Sequence, residues 1–330
     1  MGNLELSAAI RMNPRTAPLI TGAVQPQGID LHVSVLEPSE LYWRALAFED
    51  FDIAELSFSS LMASYGHGID NWVALPISTQ RSFFHTGTLV RDAAGVATPA
   101  DLAGKRIGVS EYQQTGALFT RGILQHEFGL DPRDCHWFME RPPEKSHGGA
   151  MGFEPPPGID LQYISVDTDI GRMLEAGTLD AAVMYNTSRN LVDRATVVFG
   201  PGSGVSPLFD RRAEAARYFQ KTGFYPMNAC VAVRREVVER HPWVVLNLYS
   251  AYLEAKAQSR RAARGDLDAL LDAGVADQHT REAMDFDLFP YGVIANRELL
   301  ETATLYSFEQ GLVPRRLELA ELFYPPTLEL

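Results

Sequence analysis

The chain has 330 residues, more than one hydrophobic core usually organises, so two lobes are the starting expectation. Hydrophobic residues make up 46% and charged residues 22%, which excludes a disordered chain. The 42 acidic against 29 basic residues leave a formal charge of −13, which excludes a nucleic-acid partner, because such binders concentrate Lys and Arg.

The opening MGNLELSAAIRMNPRT alternates like a first β-strand, and Glu5 interrupts the apolar run that a secretory signal needs. No stretch approaches the roughly 18 apolar residues of a membrane span. A cytoplasmic protein with no membrane partner is therefore expected. Cys135 and Cys230 lie far apart and form no ligand spacing, which fits a reduced chain without disulfides. Short apolar runs then alternate with helical patterns, the signature of an α/β fold with substantial parallel sheet.

Strands are predicted at Glu5–Ile10, Ile29–Val35, Asp52–Leu56, Val73–Ile77, Thr88–Val90, Arg106–Val109, Gln162–Ser165, Ala181–Met184 and Ala229–Val233. Helices are predicted at Ser39–Ala47, Thr115–Phe128, Asp169–Ala176, Arg211–Thr222, Pro242–Ala262 and Asn296–Gln310. The stretch ERPPEKSHGGAMGFEPPPG (140–158) is too punctuated for a simple turn and reads as a surface excursion or a lid. HTGTLVR (85–91) and FYPMNACVAV (224–233) read as two crossings between lobes. Residues 1–90 with 225–330 would then form one lobe and 91–224 the other, with a ligand cleft between them.

Two runs are specific. TPADLAGKRIGVSEYQQTGALF (98–119) and DIGRMLEAGTLDAAV (169–183) resemble the segments with which type 2 periplasmic-binding-protein folds enter and leave their second lobe. FDIAELSFSS (51–60), RSFFHTGTLVR (81–91), GVSEYQQT (108–115), HPWVVLNLYSAYLEAK (241–256), PYGVIANRELL (290–300) and YSFEQGL (306–312) narrow the match. Together they resemble the 4,5-dihydroxyphthalate decarboxylase family over nearly the whole chain. The resemblance implies a two-lobed α/β fold and a non-oxidative, cytosolic decarboxylase of a dihydroxylated aromatic diacid; it also makes a homo-oligomer plausible. The chain departs from that pattern at Arg11–Pro14, in place of an acidic, Tyr-containing motif, and at Asn228, in place of a His.

Decarboxylating a hydroxylated benzoate requires a proton for the ring carbon, a group that stabilises the phenolate and a cation for the retained carboxylate. Arg81 is the expected carboxylate clamp, since a guanidinium matches a carboxylate bidentately, and Arg15 is a further candidate. His85 is the expected proton donor and Glu55 a second catalytic candidate. Ser59 and Ser60 open a helix and either cap it or meet the ligand. Gln113, Gln114 and Thr115 stand before another helix as anion donors, and Asn186 and Asn228 are expected on the cleft side. His126, His136 and His147 are too irregularly spaced for a metal site. No cofactor motif is present, and a divalent metal is left open. The second reading is a non-catalytic binding protein for a small aromatic carboxylate, of transporter-receptor or sensor type.

Overall fold

The computed structural model describes residues 2–188 and 190–330. Its strands are β1 (Leu4–Ile10), β2 (Ile29–Val35), β3 (Ile53–Ser57), β4 (Trp72–Ala74), β5 (Leu89–Arg91), β6 (Arg106–Val109), β7 (His136–Met139), β8 (Asp160–Tyr163), β9 (Ala181–Val183), β10 (Val205–Pro207) and β11 (Ala229–Arg234). They form two sheets, ordered β2-β1-β3-β11-β4 and β10-β5-β9-β6-β7-β8.

The two sheets repeat one plan. Each is built on adjacent parallel strands, three in the first (β2-β1-β3) and four in the second (β8-β7-β6-β9). Each then takes in one antiparallel strand that has just arrived from the other sheet, β11 beside β3 and β5 beside β9. The chain thus crosses between sheets twice, once before β5 and once before β11.

β1 can occupy a middle position because Ala8 and Ala9 are small and wholly buried on opposite faces. On one face of this sheet, Val231, Val233, Val244, Leu248 and Tyr252 form a core with the long helix 243–272. The other face shares a continuous core with the second lobe, from Leu56, Phe58 and Met62 through Leu118 and Phe119 to Trp137 and Met139. Ile164, Ile170, Leu174 and Val205 close the far side of the second sheet. The lobes are therefore packed against each other.

Most predicted elements stand within a residue or two of their expected ends. The expected strand Val73–Ile77 stops at Ala74, ahead of Pro76, which has no N–H to donate to a ladder. β7 and β10 were not expected, because HWFM and VSP are too short to show a period of two. The expected helix Pro242–Ala262 runs on as Trp243–Asp272. Its second half has little buried apolar surface; Arg261 pairs with Glu254 at 2.6 Å, and Arg264 pairs with Asp285 at 2.6 Å.

Helix 115–128 meets helix 297–309 at Gly122, where an added Cβ would run into the ring of Tyr306. Overpacking of this kind costs about 1–3 kcal/mol, which outweighs the few tenths of a kcal/mol, roughly, that valine gains over glycine in helix propensity. Gly122→Val should lower unfolding stability by about 2 kcal/mol in urea titrations.

Candidate active site

The end of β1 places the first functional group. β1 is flanked by parallel strands on both sides, and ligands of open α/β sheets bind at the carboxyl ends of such strands. The residue after its last is Arg11, whose carbonyl accepts from Thr16 Oγ1 at 2.6 Å, while Asn13 N donates to the same hydroxyl at 3.0 Å. This knot fixes the turn and turns Arg11 into a cleft of about 210 Å³ between the lobes. Tyr42, Ser57, Gln80 and Asn228 line it from the first lobe, and Gln114, Arg141, Met184 and Asn186 from the second.

Three helices begin at this cleft, with Pro38, Phe58 and Thr115 as their first residues. Their aligned dipoles make the cleft favourable to an anion. The two arginines differ. Arg141 reaches Glu111 and Asp193 at 2.7 Å each, and its Nη2 donates to Ser39 Oγ at 2.7 Å, so its charge is compensated. The Arg11 guanidinium has no hydrogen-bond or ion-pair partner among the described residues. It is the cation available to a ligand.

Glu111 gathers the second group. It is fully buried and accepts from Arg141 Nη1 at 2.7 Å and from Gly148 N at 2.8 Å, with Ser146 and Gln113 as further donors. His147 Nε2 lies 2.8 Å from it. Burial alone would raise this carboxyl, but His147, Arg141 and Ser146 together outweigh burial and hold it at about 2. On its other side, His147 Nδ1 lies 2.6 Å from Ser60 Oγ, which in turn donates to Ser57 Oγ at 3.2 Å. An imidazole in contact with a buried carboxylate therefore leads, through two hydrogen-bonded hydroxyls, to a cleft-lining residue.

The loop 140–158, expected as an excursion or a lid, is the arm that carries Arg141 and His147 to the first lobe. Its Glu144 carbonyl accepts from Trp43 Nε1 at 3.1 Å. Gly148 and Gly149 make the close packing possible: a Cβ on either would strike Gln113 or the Pro143 carbonyl. Met184, opposite, holds φ at 53°, a conformation disfavoured for a side-chain-bearing residue, and its carbonyl accepts from Ser110 Oγ at 2.8 Å.

Several expected site residues stand elsewhere. Arg81, expected as the clamp, spends its guanidinium on the carbonyls of Tyr225 and Pro290, both at 3.0 Å, and on Asn296 Oδ1 at 2.5 Å, away from the cleft. His85, expected as the acid, is wholly buried and pairs with Glu214 at 3.0 Å, fastening helix 211–222 to the first crossing. Burial holds its imidazole below the ordinary value. Arg15 donates to the Thr79 carbonyl at 2.7 Å and stacks on Phe289. Glu55 does not line the cleft; it accepts from Thr79 Oγ1 at 2.9 Å, and burial pushes its carboxyl up to about 7.

The remaining candidates divide between the wall and the layer behind it. Gln114, Asn186 and Asn228 line the cleft as expected. Asn228 Nδ2 donates to Gln80 Oε1 at 3.3 Å and to the Tyr42 hydroxyl at 3.4 Å, and Asn186 Nδ2 donates to Asp193 at 2.6 Å. Gln113 stands behind the wall and braces Glu111. Neither Ser59 nor Ser60 caps its helix: Thr115 Oγ1 accepts from Ser59 N at 3.0 Å and lies 3.0 Å from Ser57 Oγ. The second lobe thus caps a helix of the first.

No family model matches the chain. The chain is 31% identical over 334 residues to a 4,5-dihydroxyphthalate decarboxylase of Comamonas testosteroni, covering 100% of this chain and 99% of that protein. It is 33% identical over 183 residues to a 4,5-dihydroxyphthalate decarboxylase of Pseudomonas putida, covering 56% of this chain and 71% of that one. Among solved structures it superposes on the alkanesulfonate-binding protein SsuA of Xanthomonas axonopodis pv. citri with a TM-score of 0.56 at 12% identity, over 98% of this chain and 99% of that one. The desulfurization enzyme DszB matches with a TM-score of 0.54 at 17% identity, over 99% and 98%. These structures establish the fold, the two-lobed type 2 periplasmic-binding-protein-like architecture that the duplicated strand order displays. The end-to-end match to the Comamonas enzyme places the chain in the 4,5-dihydroxyphthalate decarboxylase family of carboxy-lyases.

Proposed function

We propose that this chain removes one CO2, without an oxidant, from a hydroxylated phthalate-like aromatic dicarboxylate held between the lobes. The observation that carries the reading is the pairing of one uncompensated cation, Arg11, with a buried chain of proton-bearing groups ending at Ser57 on the same cleft. Arg11 binds the retained carboxylate, helped by the three helix N-termini. Tyr42 donates to the ring oxygen. Burial and the nearby Glu55 hold its hydroxyl above the ordinary value, so it remains a donor.

The ring phenolate pushes an electron pair onto the carbon bearing the departing carboxylate, and that carbon takes a proton from Ser57 Oγ. Ser60 replaces that proton and His147 replaces the one lost by Ser60. The C–C bond then breaks, its electron pair restores the aromatic ring, and CO2 leaves. Glu111 orients the imidazole and stabilises the positive charge that it carries when protonated, as carboxylates do beside catalytic histidines. The burial of Ser60, His147 and Glu111 keeps bulk water out of this chain.

Purified protein offered hydroxylated phthalates and benzoates should release CO2 from one of them, with the product lighter by that mass. His147→Gln should lower kcat about 100-fold or more and leave substrate affinity nearly unchanged. Arg11→Met should instead weaken binding about tenfold or more, the usual worth of a charge-assisted hydrogen bond. Thermal stabilisation by one of these acids with no CO2 from any would instead favour the carboxylate-binding reading.

The same carboxylate sets an acid limit. Glu111 is held near 2 in the fold against 4.5 ordinarily, so its contribution is complete above pH 4.5 and is lost as pH falls toward 2. The loss should amount to up to about 3 kcal/mol across that window. Urea midpoints measured from pH 6 downward should show it, and Glu111→Gln should start less stable and lose less.

A further inference from the structure

A cavity of about 590 Å³, larger than the cleft, lies behind the hinge and shares no lining residue with the cleft. Its walls come from the end of helix 211–222, from the second crossing at Phe224 and Tyr225, and from the segment Phe286–Leu299. Phe219, Phe224 and Phe286 give it flat apolar surfaces. Arg81 lines it too, at 8% exposure.

Among the described residues Arg81 is held there without a direct ion pair. Arg81 donates only to two carbonyls and an amide oxygen, its Nε has no partner, and no carboxylate pairs with it among the described residues. Asp287, an acid of the same lining, is engaged by Lys256 at 2.6 Å and by Arg260 at 3.1 Å. Arg297 is a second cation of the lining, paired with Glu301 at 3.8 Å, and Glu298 beside it is exposed to solvent. A buried charge without a counter-ion costs several kcal/mol, and an anion that also offers a flat apolar body would meet both features of the hollow.

We propose that this hollow is a second binding site, for a small aromatic carboxylate whose ring lies among Phe219, Phe224 and Phe286 and whose carboxylate lies by the Arg81 guanidinium. The inference stands on the hollow's own lining and does not depend on the reaction proposed for the cleft. A ligand seated there touches both crossings, through Arg81 in the first and Phe224 and Tyr225 in the second.

The test is calorimetric titration of benzoate, and of its neutral isostere benzamide, into full-length Arg11→Met protein, whose cleft lacks its clamp. Benzoate should still bind, and benzamide should bind about tenfold more weakly or worse. Ala295→Trp, which fills the hollow from an exposed turn, should abolish that binding when added to Arg11→Met, and Arg81→Gln should weaken it about tenfold. If Arg81→Gln does not fold, Ala295→Trp decides alone. Benzoate binding that vanishes in Arg11→Met, that survives Ala295→Trp, or that benzamide matches would overturn the proposal. Failure to release CO2 would leave this result untouched, because it is read with the cleft clamp removed.

Discussion

A fully buried carboxylate organises this molecule. Glu111 follows the strand on which the second sheet is built, and it draws Arg141, His147, Ser146 and the Gly148 amide around itself. An ion this deep is tolerated only when its lone pairs are filled and a counter-charge is in contact. Meeting both conditions forces loop 140–158 to fold inward. That inward fold carries His147 to Ser60 and Arg141 to Ser39, both in the other lobe. The cleft wall, the proton chain and the contact between lobes all follow from solvating one charge.

The duplicated strand order explains why the cleft lies where it does. In each lobe the parallel strands end facing the other lobe, and each sheet admits an antiparallel strand that has just crossed over. The carboxyl end of β1 supplies Arg11, and that of β3 supplies Ser57. The turn after β6 supplies Gln114, and the turn after β9 supplies Met184 and Asn186. A sulfonate-binding protein and a desulfurization enzyme share this architecture, so the fold alone fixes no activity and particular side chains must provide the chemistry.

Much of the fold was legible because its signals are local. GKRIGV and the pattern from Thr115 to Phe128 state their own structure through period and caps. The site was less legible because direction is not local. Arg81 and His85 lie on a crossing, where no period tells which side faces the ligand, and both turn to structural partners. Arg11 and Arg15 differ by four residues across a turn whose shape Thr16 sets, and of the two only Arg11 lines the cleft. His147 was weighed only as a metal ligand. The SHGG context, with two glycines beside a histidine in a long loop, was the available sign that the backbone comes close to something there.

The cap that Thr115 places on Ser59 has a kinetic consequence. Parting the lobes would strip that amide of its acceptor and would also break Ser60 from His147, Ser39 from Arg141 and Trp43 from Glu144. Any opening wide enough to admit a ligand must break these bonds together, and its rate is set by that loss.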